Sequence, residues 1–232
     1  MNIKAVIFDV GHTLIRYSTP LNWQALYPQA IKQMMKACGV GYTEGAEATA
    51  QNILTKYNTR INFREYEVSS DDIFSEILNA WKVTAGKIQI VKEAFYRYFQ
   101  KDVSFYEDTE MTLKSLKKRG IMIGVLTDVA YGMDNEYALS DLAEIIKYID
   151  LCLTSRDVGF RKPNVSGYKM LQKSFDLLSE EIVFVGDEEK DIIGANNAGM
   201  ISALINRDNN VRNYSQHYTI KSLSEIFGIL DR

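Results

Sequence analysis

The sequence is poor in cysteine and has no long hydrophobic run. Its two cysteines, Cys38 and Cys152, are far apart, and each has apolar neighbours. This favours two buried thiols in a reducing compartment over a disulfide framework. The apolar run Ala5–Phe8 ends at Asp9, too early for a secretory signal peptide. The other apolar runs fall well short of the roughly 20 residues of a membrane helix. We therefore expect a cytoplasmic protein without a membrane segment.

The chain also lacks a large net charge of either sign. The formal net charge is −3 over 232 residues, and no block of basic residues stands out. Because nucleic-acid-binding surfaces carry basic patches, we expect no nucleic-acid partner. The contents of 46% hydrophobic and 25% charged residues are ordinary for a globular protein. The sequence does not indicate an oligomeric state.

Five short, almost wholly apolar runs rich in β-branched residues predict strands that are buried on both faces. They cover residues 3–8, 121–126, 149–153, 182–185 and 201–205. Segments with helical character precede three of these strands, at residues 110–118, 164–178 and 191–198. This alternation predicts an α/β core with a parallel sheet and helices on both faces.

The long interval between the first two strands breaks the alternation. It contains segments with apolar residues at helical spacing, such as Ile73, Ile77 and Leu78, and predicts helices at 23–37, 44–57, 71–81 and 89–99. We therefore predict an all-helical domain at residues 17–103, inserted into a core formed by residues 1–16 and 104–232.

Polar side chains follow the predicted strands, at the edge of the sheet where ligands bind in open parallel sheets. They are Asp9, Thr127, Asp128, Lys162, Asp187 and Asp191. A carboxylate such as Asp9 can attack phosphorus and form an acyl phosphate. Asp9 and Asp187 can share a magnesium ion, which prefers oxygen ligands. Thr127 and Lys162 can hold the phosphoryl oxygens. A simpler interpretation is that Asp187 and Asp191 only cap the next helix.

Four segments resemble, in order, the four motifs of the haloacid dehalogenase superfamily. They are Phe8–Leu14, Val125–Asp128, Gly159–Pro163 and Val185–Met200, the first against a family pattern of Asp-x-Asp-x-Thr. The resemblance implies a Rossmann-like core with a helical cap inserted after motif one. It also implies a magnesium-dependent hydrolase of small phosphorylated compounds.

The resemblance also implies a role for each matching residue. Asp9 would be the nucleophile, and Thr127, Asp128 and Lys162 would bind phosphate. Asp9, Asp187, Asp191 and the backbone carbonyl of Gly11 would form the metal site. Asp191 would hold metal-bound waters or orient Lys162.

Position 11 departs from the family pattern, because Gly11 replaces the aspartate that protonates the leaving alcohol and then activates water. Acid–base help of this kind contributes about 10²–10⁴-fold. Three interpretations remain open. The protein is a slow or selective phosphatase that favours acyl and aryl phosphates, or His12 replaces the missing acid, or the protein is a catalytically weak phosphate-binding or regulatory protein.

Two related chemistries also tolerate the loss of this aspartate. A 2-haloacid dehalogenase attacks carbon and needs no metal, so it has little use for Asp187 and Asp191. A phosphonatase would need a lysine of the inserted helices to form a Schiff base; Lys32, Lys36 and Lys56 are candidates.

Motif two contains a second departure. It ends in Asp128 where asparagine is usual, which adds a negative charge next to a bound phosphate. The alternative role of Asp128 is to cap the following loop through backbone N–H groups.

Overall fold

The computed structural model describes residues 2–17, 23–100, 103–208 and 210–232. Its strands are β1 (Ala5–Phe8), β2 (Ile15–Tyr17), β3 (Val103–Phe105), β4 (Met122–Thr127), β5 (Leu151–Thr154), β6 (Ile182–Gly186), β7 (Ile201–Ile205) and β8 (Tyr218–Ile220). Its α-helices are α1 (Trp23–Cys38), α2 (Glu44–Tyr57), α3 (Ser70–Ala80), α4 (Ile88–Phe99), α5 (Thr109–Lys118), α6 (Asn135–Ala138), α7 (Ser155–Val158), α8 (Ser166–Phe175), α9 (Glu189–Asn197) and α10 (Ile226–Leu230). Among the helices described, none combines the length and apolar content needed to cross a bilayer.

The core sheet has six strands in the order β5-β4-β1-β6-β7-β8, and its strand pairs are parallel. β1 lies in the middle, between β4 and β6, and all four of its side chains are buried. This position explains why its sequence is a continuous apolar run. The predicted parallel α/β core is confirmed.

The structure adds strands that the sequence did not reveal. β2 and β3 form a separate two-stranded sheet, and β8 extends the edge of the core sheet next to β7. Each has three residues, and in β8 only Ile220 is buried, so none produces an apolar run. α8 ends at Phe175, before the predicted residue 178, because Asp176 adopts a left-handed conformation with φ of 55°.

One side of the core sheet packs against α8 and α9 through a buried apolar cluster. Ile7 and Phe184 of the central strands contact Tyr168 and Leu171 of α8 and Ala195 of α9 in this cluster. The rings of Tyr168 and Phe184 lie 4.8 Å apart, centroid to centroid. This packing fixes the carboxyl ends of β1 and β6, where the candidate site residues begin.

The chain divides into two compact units. The first contains residues 1–16, 104–128 and 142–232, and the second contains residues 17–103 and 129–141. The predicted boundaries placed residues 129–141 with the sheet, whereas in the structure this segment groups with helices α1–α4. The aromatic core of the second unit, in which Trp23 stacks on Phe99 with centroids 3.9 Å apart, also includes Tyr131.

Buried polar contacts hold the segment 129–141 within the helical unit. The buried Lys92 ammonium of α4 lies 2.5 Å from a carboxylate oxygen of Asp134 and 2.7 Å from one of Asp71. The hydroxyls of Tyr27 and Tyr131 contact each other, and Asn58 donates to Tyr27 Oη at 2.9 Å. A sequence pattern could not predict this grouping, since it depends on contacts between residues far apart in the chain.

The backbone at Gly132 generates the first prediction. Gly132 has φ of +62°, and an added Cβ would lie 2.3 Å from the carbonyl oxygen of Val68 and 2.7 Å from the amide nitrogen of Ser70. Gly39 has a similar φ of +72° but no atom within 4 Å of an added Cβ. We expect Gly39→Ala to lower the free energy of unfolding by about 1 kcal/mol, from the left-handed backbone alone. Gly132→Ala should lower it by about 3 kcal/mol or more, because the backbone must also move.

Urea denaturation of both variants measures this difference. Equal losses in the two variants would show that residues 129–141 are free to shift away from the helices.

Candidate active site

The centre of the candidate site is the buried ammonium of Lys162, in the loop between α7 and α8. Its Nζ lies 2.5 Å from Oδ1 of Asp9 and 2.6 Å from Oδ1 of Asp191. It also donates to the carbonyl oxygen of Leu126 at 3.3 Å. Burial disfavours the charged amine, but the carboxylates of Asp191, Asp9 and Asp128 outweigh it and hold the pKa of Lys162 well above its usual range. Lys162 is therefore a permanent positive charge inside the fold.

Asp9 follows the last residue of β1, and its backbone N–H donates to the carbonyl oxygen of Val185 at 2.9 Å. This bond continues the pairing of β1 with β6 and fixes the direction of the Asp9 side chain. The side chain is almost fully buried. The central strand thus places a carboxylate at the point where sequence analysis predicted the nucleophile.

Asp187 and Asp191 follow β6. Gly186, the last residue of that strand, leaves room for Asp191, because an added Cβ at Gly186 would lie 2.5 Å from Asp191 Cβ. Asp191 is completely buried in the first turn of α9, and its Oδ2 accepts the backbone N–H of Glu188 at 3.0 Å. Asp191 therefore caps its helix with one oxygen and faces Lys162 with the other, so the two interpretations of this residue are compatible.

The three carboxylates of Asp9, Asp187 and Asp191 form one cluster. Each offers an oxygen within 4.8 Å of the others. Burial, followed by the neighbouring charges of Asp9 and Asp191, raises the pKa of Asp187 to about 8. Burial also raises the pKa of Asp9 to about 6, although the adjacent Lys162 opposes the shift. Negative charge is thus concentrated beyond what one lysine neutralises, and a divalent cation fits such a set of oxygen ligands.

Motif two contributes two further residues to the site, Thr127 and Asp128. Thr127 ends β4, two residues after Val125, which pairs with Phe8. The side chain of Asp128 is buried, and its Oδ1 accepts the backbone N–H of Lys162 at 3.0 Å. Its Oδ2 lies 3.0 Å from Nζ of Lys190 and 3.9 Å from Arg161. Burial tends to raise the pKa of Asp128, but Lys190, Lys162 and Arg161 outweigh it and lower that pKa. Through these contacts, Asp128 joins motif two to motifs three and four.

The loop of motif one is fixed by a residue far away in sequence. His12 is exposed and has φ of 55°, whereas Thr13 is buried. Arg207, just after β7, donates to the carbonyl oxygen of Thr13 at 3.0 Å and forms two bonds to Asp108, at 3.0 and 3.1 Å. Arg207 also stacks on the ring of Tyr106 at 3.7 Å. This cluster holds the loop that carries Gly11 and His12.

The structure brings Asp9, Asp128, Lys162, Asp187 and Asp191 into direct contact or close proximity, as their places at the strand ends suggest. Sequence reasoning missed two residues around them, Lys190 and Arg207. Lys190 lies inside motif four, so its position was a usable signal. For Arg207 no local signal exists, since its partners come from other parts of the chain.

Comparison with known proteins identifies the class. The model of the haloacid dehalogenase-like hydrolase family matches residues 6–205. The chain is 31% identical to the glyceraldehyde 3-phosphate phosphatase of Methanocaldococcus jannaschii, over 98% of this chain and 97% of that protein. It is also 31% identical to the pyrophosphatase PpaX of Bacillus mycoides, over 65% of this chain and 73% of that protein. The crystal structure of a HAD phosphatase from Thermococcus onnurineus aligns with a TM-score of 0.66 and 26% identity, over 98% of each chain.

This protein therefore belongs to the haloacid dehalogenase-like hydrolases, and the predicted membership is confirmed. The matched region begins within β1 and ends at β7, so it contains all four motifs.

The raised pKa of Asp187 generates a prediction about the protein without divalent cations. Its pKa rises from 3.8 to about 8 on folding, so the folded state binds this proton more tightly than the unfolded state. Below about pH 4 the Asp187 carboxyl is protonated in both states, so its burial costs no stability. As the pH rises towards 8, the protein loses stability, because burial disfavours the charged carboxylate in the folded state. Asp187→Asn removes this dependence. We expect the variant to unfold at a higher temperature than wild type near pH 8, with the difference shrinking towards pH 5.

Thermal unfolding in the presence of a chelator measures this difference. The matched control is Asp176→Asn, which removes an exposed carboxylate at the end of α8. A wild type that is more stable than Asp187→Asn at pH 8 would contradict the proposed electrostatic strain.

Proposed function

We propose that this protein is a magnesium-dependent phosphatase that acts on small phosphorylated compounds through an aspartyl-phosphate intermediate on Asp9. The observation that carries the proposal is the cluster of Asp9, Asp187 and Asp191 around the buried Lys162 ammonium. Two relatives are named as a phosphatase and a pyrophosphatase. Both names denote enzymes that hydrolyse phosphate compounds, which supports the same chemistry here.

The carboxylate cluster is suited to magnesium. Asp9 and Asp187 offer oxygens from adjacent strands, and Asp191 offers a third within the same 4.8 Å limit. The backbone carbonyl of Gly11 completes the proposed ligand set, with Asp191 acting directly or through water. Bound magnesium supplies positive charge that reduces the repulsion between the Asp9 carboxylate and an anionic substrate.

The chain's own residues bind and orient the phosphate. Lys162 provides a fixed cation against the phosphoryl oxygens, and the Thr127 hydroxyl provides a hydrogen bond from the end of β4. A carboxylate oxygen of Asp9 then attacks phosphorus, and the bond from phosphorus to the leaving group breaks. Water later attacks the phosphorus of the aspartyl phosphate, which releases inorganic phosphate and restores Asp9.

Gly11 determines which leaving groups are favoured. Without a carboxylic acid at position 11, an alcohol has to leave as an alkoxide or take its proton from elsewhere. Acyl and aryl phosphates have stable leaving anions, so we propose that they react faster than alkyl phosphates. His12 is the next residue in the chain, and imidazole is a common general acid, which makes His12 the candidate for a substitute acid.

Turnover of two substrates tests the proposal. We expect p-nitrophenyl phosphate and acetyl phosphate to be hydrolysed with magnesium and not in the presence of a chelator. Asp9→Asn should reduce both rates by about 10³-fold or more, because the amide cannot act as the nucleophile. Asp176→Asn, far along α8 from Lys162, is the matched control. Hydrolysis that survives Asp9→Asn would refute the aspartyl-phosphate mechanism.

Restoring the family residue tests the role of position 11. We expect Gly11→Asp to raise the rate for an alkyl phosphate relative to acetyl phosphate by about 10²-fold, the contribution of a general acid. Gly11→Asn is the control, since it has similar size and no acidic proton. His12→Asn tests the alternative, because it should lower only the alkyl rate if His12 supplies the proton. Equal effects of Gly11→Asp and Gly11→Asn, with the protein folded, would contradict the missing-acid argument.

A second candidate is a phosphate-binding or regulatory protein with little turnover, which the absence of an acid at Gly11 favours. It predicts binding of magnesium and phosphate without hydrolysis of either test substrate. The dehalogenase alternative is less consistent with the geometry, because attack on carbon gives no role to the concentrated carboxylates of Asp187 and Asp191.

A further inference from the structure

We propose that Lys190 is a phosphate-binding residue and that it acts as a unit with Asp128, replacing the neutral amide that the family carries at the end of motif two. This inference rests on the proposed function, since it concerns the same phosphate site. Lys190 lies between Asp187 and Asp191 in the chain.

Two carboxylates hold the Lys190 ammonium in place. Its Nζ lies 3.0 Å from Oδ2 of Asp128 and 2.9 Å from Oε2 of Glu188. The side chain of Asp128 is 5% exposed and that of Lys190 is 30% exposed. The carboxylate is thus enclosed by the protein, while the lysine extends from it towards solvent. An ammonium has three N–H donors, so two carboxylates leave it capacity for a phosphoryl oxygen.

The position of the pair relative to phosphate follows from Asp128. Oδ1 of Asp128 accepts the backbone N–H of Lys162, whose side chain ends at Asp9. Thr127, the proposed phosphate donor, immediately precedes Asp128 in the chain. Lys190 therefore pairs with the carboxylate of the residue that follows Thr127 and accepts the backbone N–H of Lys162. Thr127 and Lys162 are two of the residues that are proposed to contact phosphate.

Charge explains why the two residues belong together. An asparagine at position 128 would donate an N–H group and add no charge, whereas an aspartate only accepts and repels an anion. Pairing with Lys190 cancels this charge and supplies the missing donor. Lysine binds phosphate as a point charge, so the pair offers the same donor function as the amide.

Equilibrium binding of inorganic phosphate in the presence of magnesium tests the proposal, with titration calorimetry as the readout. Lys190→Met should weaken binding by about tenfold or more, because Asp128 then loses its nearest cation and a charged hydrogen bond to phosphate is lost. Asp128→Asn alone should bind at least as tightly as wild type, because a negative charge is removed while Lys190 is kept. The double variant, which combines Lys190→Met with Asp128→Asn, should recover most of the loss, because it restores the family's neutral amide.

Lys169→Met, an exposed lysine on α8, is the matched control and should bind phosphate as wild type does. The thermal unfolding of each variant separates weaker binding from loss of the fold. The proposal is overturned if Lys190→Met matches the control, or if the double variant binds as weakly as Lys190→Met alone. Wild type that binds no phosphate would instead overturn the proposed function, so the two failures are distinguishable.

Discussion

The buried charge of Lys162 is the interaction on which the candidate site depends. An ammonium removed from water costs several kcal/mol unless opposite charges accompany it, and here Asp9 and Asp191 lie within 2.6 Å of it. The segments that carry Asp9, Lys162 and Asp191 must therefore come together, because the buried ammonium would otherwise destabilise the fold. In the same arrangement, burial and then the charges of Asp9 and Asp191 raise the pKa of the third carboxylate, Asp187, although Lys162 opposes the shift. Folding and the capacity to bind a divalent cation thus have one physical origin.

The two departures from the family pattern differ in their structural consequences. At Asp128 the protein has a compensating contact, because Lys190 lies 3.0 Å from the added carboxylate. At Gly11 the change removes a chemical group, and the neighbouring His12 is exposed. In the proposed function, the pairing of Asp128 with Lys190 therefore concerns phosphate binding, whereas Gly11 concerns the rate of hydrolysis, because a glycine supplies no proton. The two departures are therefore expected to affect different properties, the affinity for phosphate at Asp128 and the turnover rate at Gly11.

The helical unit also depends on paired buried charge. Lys92 is 3% exposed and lies between Asp71 and Asp134, so removal of either carboxylate would leave a poorly compensated cation. This pairing attaches residues 129–141 to the helices. The segment follows directly after Asp128, and it returns to the sheet-containing unit at Leu142. Motif two is thus connected along the chain to a segment whose contacts are made in the other unit.

The sequence by itself determined the parallel α/β core, the succession of helices after β1 and the positions of most candidate site residues. These follow from local patterns, since apolar runs mark buried strands and polar residues at their ends must share one edge of the sheet. Tertiary structure decided the remainder. The edge strand β8, the grouping of residues 129–141 with the helices, the pairing of Asp128 with Lys190 and the support of Thr13 by Arg207 all join residues distant in the chain. Such contacts leave no periodic signal, because hydrogen bonds and ion pairs depend on three-dimensional distance and not on sequence separation.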